Sequence, residues 1–593
     1  MTLDQGLLFA VLVLALAGFV WGRFRYDMVA FAALFAATVL GLVPMDKAFD
    51  GFSDAATVSV AAVFIVTRAL ISSGALDRLA RAIGRFSGNP TIHIGALSLV
   101  GGAMSAFMNN VAALSIVMPV AIRSSRDVGR SPSLVLMPLA FATVLGGIVT
   151  LIGTPPNILL SGIREDFMGA PYAMFDFAPV GLPTAVAGIL FMTFVGWRLI
   201  PKSRRARNGG TDLFQISDFV TEVRAEEGSS TVGQAIQDIE KKAGEYDVTV
   251  IGMVRGDSRL FSGIRYLPLA AGDALVIEGA PDAIAKFVAA LKLTQVGTDG
   301  GKVPQLTSPD TVVTEVVVTR NSEIIGRTAR MVGFARRFGI NLLGISRQGK
   351  PIRQRLRQVE FRSGDALLLQ GDADRIAEAV QEYGLLSIAE RPIPKVGRLP
   401  ASIAVASFAS AILLTSVGLL SLPIALGLAA LTVVLTGVLP LRDLYESIDW
   451  PVIVLLAALI PVGGAIETTG AAQLLADALA SLSGSVGPVV LLGIVLVLTM
   501  WLSDILNNAA TVVIVAPVAF RLAEAIGANP DTYFMAVAIG ASCAFLTPIG
   551  HQNNTLVMGP GGYAFSDYTR VGLPLEVLIV AVSMPLLLVF WPL

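Results

Sequence analysis

Beyond its N-terminal end, this chain has seven long runs that contain no charged residue. A helix needs roughly 20 apolar residues to cross a bilayer, so the longer runs must hold two segments or one interrupted segment. Hydrophobic residues make up 54% of the sequence and charged residues 15%, whereas soluble domains carry about 25% charged residues. The chain is therefore predicted to be an α-helical polytopic membrane protein. The runs are 28–45, 86–122, 131–163, 177–197, 399–441, 478–503 and 532–566.

Most charged residues lie in the middle of the chain. Residues 201–400 hold 28 Lys/Arg and 24 Asp/Glu, which is 52 of the 87 charges. This distribution predicts a soluble module inserted into a membrane protein. The net charge of −1 offers no basic surface for a nucleic-acid partner. One cysteine excludes a disulfide framework, two histidines leave little for metal catalysis, and no cofactor is expected.

The membrane part contains an internal duplication. The segment SAFMNNVAALSIVMP at 105–119 reappears as SDILNNAATVVIVAP at 503–517. A second motif follows each segment, LIGTPPN at 151–157 and FLTPIGHQN at 545–553. A single asparagine pair could be a helix contact, but two motifs repeated in the same order indicate two copies of one structural unit.

Each copy is predicted to have five crossings and one re-entrant hairpin. The first copy is 1–200, with the hairpin at 91–121 and a broken crossing at 133–163. The second copy is 398–593, with the hairpin at 488–521 and the broken helix at 532–563. An odd number of crossings inverts the second copy relative to the first. The first apolar stretch, 5–22, has no basic residue before it and is interpreted as a crossing, not a signal peptide.

Basic residues predict the orientation. With the N-terminus outside, ten arginines fall in short inner loops and three basic residues in outer loops, which is a positive-inside bias. The protein is predicted to lie in the plasma (inner) membrane, and the same orientation places 200–398 in the cytoplasm. This segment begins with the basic residues Lys202, Arg204, Arg205 and Arg207. The inner arginines are Arg23, Arg25, Arg78, Arg81, Arg85, Arg123, Arg126, Arg130, Arg442 and Arg570; the outer residues are Lys47, Arg164 and Arg521.

Four helix starts are predicted inside the membrane part. An asparagine can cap a helix with its side-chain oxygen, and a Thr-Pro pair places Thr at the cap and Pro at the first helical position. Each start offers unpaired N–H groups and about half a positive charge, which suits an anion. The alternative is that these are Pro kinks and buried asparagines that hold helices together. The predicted starts are at Asn110, Asn508, Thr154-Pro155 and Thr547-Pro548.

Carbonyls freed at the same breaks, near Gly153 and Gly550, suit a hard cation such as sodium. An anion site and a cation site beside each other are typical of a transport site.

These motifs resemble the divalent anion/sodium symporter family of the ion transporter superfamily. The resemblance covers 27–200 and 400–593, and it includes the block DWPVIVLLAALIPVGGAIETTGAA at 449–472. It implies an elevator-type homodimer in which a scaffold holds still while the hairpin-bearing domain carries substrate across the bilayer.

In that family a Ser-Asn-Thr triplet at each hairpin tip binds substrate carboxylate and helps form a sodium site with the facing break. The matching triplets here are Asn109-Asn110-Val111 and Asn507-Asn508-Ala509. The central Asn is kept and both hydroxyls are lost, so sulfate or another small oxyanion is as good a candidate as a dicarboxylate. Asn110 and Asn508 are the predicted main substrate residues, assisted by Asn109, Asn507, Thr154, Pro155, Thr547, Pro548 and His551. The sodium residues implied by the resemblance are Asn110, Gly153, Thr154 and Asn157, and Asn508, Thr547, Gly550 and Asn553.

Further ionisable residues have two readings each. His551, opposite Pro156 in the motif alignment, could donate to an anion or take a coupling proton; the preferred interpretation is a neutral histidine satisfied by a carbonyl. Asp504 beside the second tip indicates function or a water-filled entrance. Arg68 and Glu467 are predicted to form a structural ion pair.

The insert has its own repeat, 212–300 and 305–390, in which Gly233, Gly272 and Asp273 match Gly326, Gly364 and Asp365. Each copy is predicted as strand, helix, strand, strand. The pair resembles two TrkA-C domains, the C-terminal half of the regulator-of-conductance module, which implies either a sensor of a small ligand or ion, or a dimerisation platform. No GxGxxG follows a strand, so no dinucleotide site is predicted.

Three functional classes follow from these features. The first is a secondary transporter in the lipid bilayer that moves a divalent anion, sulfate or dicarboxylate, and is driven by a cation gradient. A sodium/proton antiporter or arsenite carrier on the same fold is the alternative within this class. The second is a channel gated by the insert, weakened by the lack of a TVGYG-like filter. The third is an enzyme, for which no catalytic motif appears.

Overall fold

A computed structural model of the chain has helices in both terminal parts and two small mixed units between them. Within the part of the chain that the structure describes, seven helical stretches are long and apolar enough to cross a membrane, which confirms the prediction of a polytopic membrane protein: Met45–Ser72, Ala178–Leu199, Leu399–Ser416, Trp450–Thr468, Gly487–Ile505, Asn508–Ile526 and Phe565–Phe590. The residues described are 1–21, 24–74, 87–205, 220–246, 248–256, 258–260, 264–279, 281–295, 312–320, 322–348, 350–352, 356–388, 398–481 and 483–593.

Some predicted features lie outside the described residues. These are Arg23, Arg78, Arg81, Arg85 and Arg207 of the loop arginines, and the ends of the two predicted insert domains at 212–219, 296–311 and 389–390.

Side-chain caps start several helices of the N-terminal part. Asp54 accepts from Ala56 N, and Asn89 accepts from Thr91 N with Pro90 at the first helical position. Gly169, whose backbone is in the left-handed region, ends the helix that begins at Pro155. The helices are α1 (Leu3–Trp21), α2 (Tyr26–Val39), α3 (Ala55–Ser72), α4 (Pro90–Ser105), α5 (Asn110–Asp127), α6 (Ser133–Gly147), α7 (Pro155–Met168) and α8 (Ala178–Phe191).

The C-terminal part repeats this arrangement. Its long helix before the second tip is interrupted at Gly487, which has φ 77°, a conformation that glycine adopts without steric cost. The helices are α14 (Arg398–Ser416), α15 (Leu422–Leu435), α16 (Leu441–Glu446), α17 (Trp450–Thr468), α18 (Ala471–Ala480), α19 (Ser483–Ile505), α20 (Asn508–Ile526), α21 (Pro530–Ser542), α22 (Gln552–Gly561) and α23 (Phe565–Phe590).

Helices of the two parts pack on each other in exchanged pairs. Helix α2 packs along α17. Helix α15, which has the position of α2 in the second copy, packs along α3. Within each copy the first hairpin helix lies on the first half of the broken helix, α4 on α6 and α19 on α21. The last helices, α8 and α23, contact each other. One continuous apolar core therefore runs through both parts.

We call α4 and α5 the first hairpin, with its tip at 106–109, and α19 and α20 the second hairpin, with its tip at 506–507. The first break is 148–154, between α6 and α7, and the second break is 543–551, between α21 and α22. The two mixed units between the membrane parts are the first unit, 220–295, and the second unit, 312–388.

Both units have the same five-stranded antiparallel sheet, in the order β3-β2-β4-β1-β5 in the first and β8-β7-β9-β6-β10 in the second. Each unit has five strands where the sequence predicted three and a further helix before its last strand, and the second unit has two short helices where one was predicted. The first unit is β1 (Val220–Ala225), α9 (Ile236–Glu245), β2 (Thr249–Arg255), β3 (Ser258–Leu260), β4 (Ala274–Glu278), α10 (Pro281–Leu291) and β5 (Leu293–Gln295). The second unit is β6 (Val312–Val318), α11 (Ala329–Val332), α12 (Phe334–Arg337), β7 (Asn341–Arg347), β8 (Lys350–Pro351), β9 (Ala366–Gly371), α13 (Ala373–Glu382) and β10 (Leu385–Ser387).

The matching Gly-Asp motifs of the units form the same ion pair. Arg255 binds Asp273 at 2.7 Å in the first unit, and Arg347 binds Asp365 at 2.8 Å in the second. Burial alone would raise the pKa of Asp273, but Arg255 and the Ala270 N–H hold it below its ordinary value. The same Arg–Asp ion pair is therefore present at matching positions of both units. The open faces of the two sheets pack on each other through Ile251, Val276, Leu343, Ala366 and Leu368.

Candidate functional site

Each hairpin tip is built on an asparagine pair with divided roles. In the first tip Asn109 Oδ1 accepts from Val111 N at 2.8 Å and caps α5. Asn110 is the first residue of the helix, and its Oδ1 accepts from Ser105 Oγ at 2.7 Å. The prediction that Asn110 is the cap was wrong by one residue, because the extended backbone that a cap requires is at Asn109.

The second tip repeats these contacts. Asn507 Oδ1 accepts from Ala509 N at 2.9 Å and caps α20, and Asn508 Oδ1 accepts from Ser503 Oγ at 2.9 Å. The predicted cap at Asn508 is likewise one residue too late. Every partner differs from its first-tip equivalent by 398 positions. The caps free Asn110 and Asn508, both buried, from capping their own helices, so their amide nitrogens are available to other groups.

The first break is held by Asn157. Its Nδ2 donates to Gly147 O at 3.4 Å and to Thr150 O at 2.9 Å. Thr154 is the N-cap of α7 and Pro155 is at its first position, as predicted from the Thr-Pro pair. Thr150 Oγ1 donates to the Ala106 carbonyl of the first tip, so the break and the tip of the same copy are bonded together.

The second break is held in the same way by Asn554, not Asn553. Asn554 Nδ2 donates to Ala544 O at 3.0 Å and Thr547 O at 3.1 Å. Thr547 Oγ1 donates to Asp504 O at 2.7 Å, as Thr150 does to Ala106. Thr547 is therefore equivalent to Thr150, and equivalent residues of the two breaks are 397 positions apart.

The predicted helix start at Thr547-Pro548 was wrong. Helix α22 begins at Gln552, and its N-cap is His551, whose Nδ1 accepts from Asn553 N at 3.1 Å. The Thr547 hydroxyl instead accepts from Gly550 N at 2.9 Å in a turn that precedes the helix. His551 is therefore opposite Thr154, not Pro156, and it is satisfied by a backbone N–H and not by a carbonyl.

Two residues of the second copy reach the first tip. Asn553 Nδ2 donates to Asn110 O at 3.0 Å and to Thr143 Oγ1 at 2.7 Å. His551 Nε2 lies 3.2 Å from Asn110 Nδ2. The start of α5, helix α6 and the end of the second break thus meet around Asn110. No hydrogen bond within the described residues joins the two tips directly.

The contact between His551 and Asn110 brings two donors together. Because Nδ1 of His551 accepts a hydrogen bond, the neutral ring carries its proton on Nε2. Because Ser105 Oγ donates to Asn110 Oδ1, the Asn110 amide turns its Nδ2 toward the ring. Two N–H donors that face each other cannot bond to one another, and an acceptor oxygen placed beside both would satisfy them. The chemistry of this point suits an anion.

Buried amide oxygens beside the breaks have the opposite character. The Oδ1 atoms of Asn157, Asn553 and Asn554 have no hydrogen-bond partner, and the three residues are fully buried. Buried polar atoms are normally paired, and amide and carbonyl oxygens are ligands of hard cations. Asn157 and Asn554 are equivalent in the two copies, so each break presents one such oxygen. A sodium ion fits this donor set.

The remaining predicted residues line the same region. Gly153 has the Gly147 carbonyl against it, where a Cβ would be 2.5 Å away, and Gly550 packs on Asp504 and Ser503 of the second tip. Asn109 lines a small cavity with Gly153 and Pro155 and the Val60, Val63 and Phe64 side chains of α3. Pro548 is buried in the turn before His551.

Two carboxyl groups beside the second break were not predicted as a pair. Asp504 Oδ1 accepts from Leu546 N at 2.9 Å and Glu576 Oε1 accepts from Phe545 N at 3.3 Å, and the two carboxyl groups are close enough to interact electrostatically. Both are buried, so Asp504 does not lie in a water-filled entrance. Glu576 is far away in sequence, inside an apolar helix, where its charge was the signal that could have found it.

The predicted ion pair of Arg68 with Glu467 was wrong. Glu467 binds Arg521 of α20, because α17 and α20 pack on each other. Arg521, predicted in an outer loop, lies within α20.

Comparison with known proteins gives a consistent family. The sequence profile described as citrate transporter (CitMHS) matches residues 16–540 and, in a second match, 491–593. An uncharacterized transporter of Synechocystis is 33% identical over 98% of this chain and 95% of its own length. The uncharacterized transporter YfbS of Escherichia coli is 29% identical over 98% of both chains. Sodium/sulfate cotransporter 1 of Chlamydomonas reinhardtii is 21% identical over 91% of this chain and 84% of its own.

Proposed function

The chain belongs to the citrate transporter family, and on this premise we propose that it is a secondary transporter that moves a divalent anion, sulfate or a dicarboxylate, together with sodium. The observation that carries this proposal is the pair of N–H donors, Asn110 Nδ2 and His551 Nε2, that face each other where the first tip meets the second break. An anion oxygen placed beside both nitrogens would accept from both.

The anion would be held without a fixed cationic side chain at these donors. The starts of α5 and α22 lie on either side of the contact, and their backbone N–H groups add partial positive charge. Such a site neutralises a charged solute in a low-dielectric region and releases it again, because neutral donors bind an anion less tightly than a buried cation does. The name of the Chlamydomonas relative supports sulfate, and the family description supports a carboxylate.

Sodium coupling is supported by the unpartnered amide oxygens of Asn157 and Asn554. When bound, sodium supplies a positive charge that raises the affinity of the adjacent site for an anion. Further sodium ligands in this proposal are backbone carbonyls of Gly153 and Thr154 at the first break and of Thr547 and Gly550 at the second. The predicted sodium residue Asn553 also has an unpartnered Oδ1, and its Nδ2 in addition joins the two copies.

Two inverted copies with an elevator motion are part of the proposal. The exchanged helix pairs, α2 with α17 and α15 with α3, are what a two-fold relation between the copies produces. The matching tip contacts support the same relation. The homodimer, the inner-membrane location and the cytoplasmic side of the two units follow from the family resemblance and the arginine bias. The shared sheet order of the units supports two TrkA-C-like domains.

Proton coupling is a second candidate, favoured by the buried pair of Asp504 and Glu576. Two buried carboxyl groups that interact at close range share one proton, because two like charges there are strongly unfavourable. The first copy has Ala106 at the position of Asp504, so the pair belongs to the second copy alone.

The test is uptake of labelled sulfate, succinate and citrate into proteoliposomes, with a sodium gradient, a proton gradient or neither. Asn110→Ala and Asn508→Ala are expected to lose uptake of the transported anion, and Asn157→Ala and Asn554→Ala to raise the sodium concentration required. Asn89→Ala is the matched control, since Asn89 caps α4 of the same hairpin at an exposed position.

Wild-type rates in Asn110→Ala or Asn508→Ala would refute the anion site. Uptake that ignores the sodium gradient and follows the proton gradient would replace sodium by the proton.

A further inference from the structure

The second unit is bonded to the hairpin-bearing part of the membrane domain. Val317 of β6 and Ile388 belong to the same apolar core as the membrane helices. Gly364 in the loop before β9 lies on α22, where a Cβ on Gly559 would be 2.4 Å from the Gly364 carbonyl. The approach is so close that position 559 has no room for a side chain. The unit is therefore packed against α22, whose N-terminus carries His551.

Glu315 of β6 forms a second attachment. Its Oε2 lies 2.7 Å from Arg126 Nη2 at the C-terminal end of α5, and the Glu315 side chain is only 7% exposed. This ion pair bonds the second unit to the helix that begins at Asn110. The second unit thus contacts both helices whose starts form the proposed anion site.

Arg320, two residues after β6, reaches the second break itself. Its Nη1 donates to Ile549 O at 3.2 Å, and its charge acts on the His551 ring. Ile549 is in the turn directly before His551. The guanidinium therefore holds the turn that presents His551, and it adds positive charge beside the two converging donors.

The first unit shows that the fold does not require this arginine. The repeat places Glu227 at the position of Arg320 and Arg224 at the position of Val317. Both first-unit residues are exposed, although the two sheets have the same strand order. The copies differ where the second unit meets the membrane domain, so the difference belongs to that contact and not to the stability of the unit.

We propose that Arg320 of the second unit is a positioning residue of the anion site, which fixes the turn before His551 and raises the affinity for a divalent anion. This inference rests on the proposed function and extends it, because the inserted unit then controls anion affinity directly. A movement of the unit that withdraws Arg320 would weaken binding of the anion without changing any residue in the membrane.

The test uses the full chain in proteoliposomes with sulfate as the probe. Arg320→Gln is expected to raise the KM for sulfate about tenfold, as loss of a charged hydrogen bond does, with kcat within about twofold of wild type by the same reasoning. Arg320→Lys, which keeps the charge, should restore part of the affinity. Arg330→Gln is the matched control, since Arg330 is an exposed arginine of the same unit.

Hydrogen exchange of the peptide 543–558 gives a readout that does not depend on the substrate. Arg320→Gln should speed exchange there, and Arg330→Gln should not. Unchanged exchange together with an unchanged KM would overturn the inference, as would an equal KM increase in both variants. If wild type does not take up sulfate, the proposed sulfate transport fails, while faster exchange in Arg320→Gln alone would still support the positioning role.

Discussion

Asn553→Ala is expected to weaken the attachment between the two copies. Asn553 is fully buried, and its Nδ2 donates to the Asn110 carbonyl at 3.0 Å and the Thr143 hydroxyl at 2.7 Å. The Thr143 hydroxyl also donates to Ala140 O, so it keeps one partner when Asn553 is truncated. The loss is therefore limited to two hydrogen bonds and a small cavity.

The magnitude follows from the value of such bonds in membranes. Interhelical hydrogen bonds in a membrane protein average about 0.6 kcal/mol and reach about 1.7 kcal/mol, so two bonds predict a loss of about 1–3 kcal/mol. The assay is reversible unfolding in mixed detergent micelles. Thr143→Val removes one of the acceptors with little change of volume, and the double mutant should recover about 0.6–1.7 kcal/mol as a coupling energy.

Asn554→Ala is the matched control. Asn554 is equally buried and also donates two hydrogen bonds, but both acceptors are carbonyls of its own break. It should lose a similar amount of stability and show no coupling to Thr143→Val. Zero coupling between Asn553 and Thr143, or wild-type stability of Asn553→Ala, would refute the reasoning that Asn553 joins the copies.

Two further perturbations test the site and its attachment. His551→Asn should keep the cap of α22 but lose the Nε2 donor, so KM for the transported anion should rise about tenfold. His551→Ala should raise KM as well and also lose about 1 kcal/mol of stability in detergent unfolding. An unchanged KM in both variants would contradict the donor role. Burial raises the pKa of Glu315, and Arg126 opposes that rise only in part, so docking of the unit strengthens proton binding by this carboxyl group. Stability from this group is full below the ordinary pKa and is lost as pH rises through the raised pKa. Limited proteolysis of 312–388 should therefore slow on acidification, and Glu315→Gln should remove this pH dependence. Arg126→Gln, which leaves the buried Glu315 charge unpaired, should weaken docking of the second unit by about 2 kcal/mol at neutral pH. A pH dependence of proteolysis that survives in Glu315→Gln would refute its assignment to Glu315.

Local sequence signals were sufficient for the helical segments and for their interruptions. Long charge-free runs predicted membrane helices, and Thr154-Pro155 correctly predicted the start of α7 because cap and first-turn preferences act within a few residues. The same reasoning failed at Thr547-Pro548. There Thr547 bonds to Asp504 of the second tip, and this tertiary contact keeps Pro548–Gly550 in a turn and moves the helix start to Gln552.

The sequence by itself determined that this chain is a polytopic membrane protein with a duplicated hairpin and break and an inserted charged segment, since apolar length, capping residues and repeats are local properties. Only the tertiary structure decided which residues meet. Asn553, His551, Glu576 and Arg320 act on partners that are tens to hundreds of positions away, and their roles depend on where distant chain segments pack. No periodicity or spacing in the sequence encodes that distance in space, because it is decided by the packing of the two copies and of the second unit against each other.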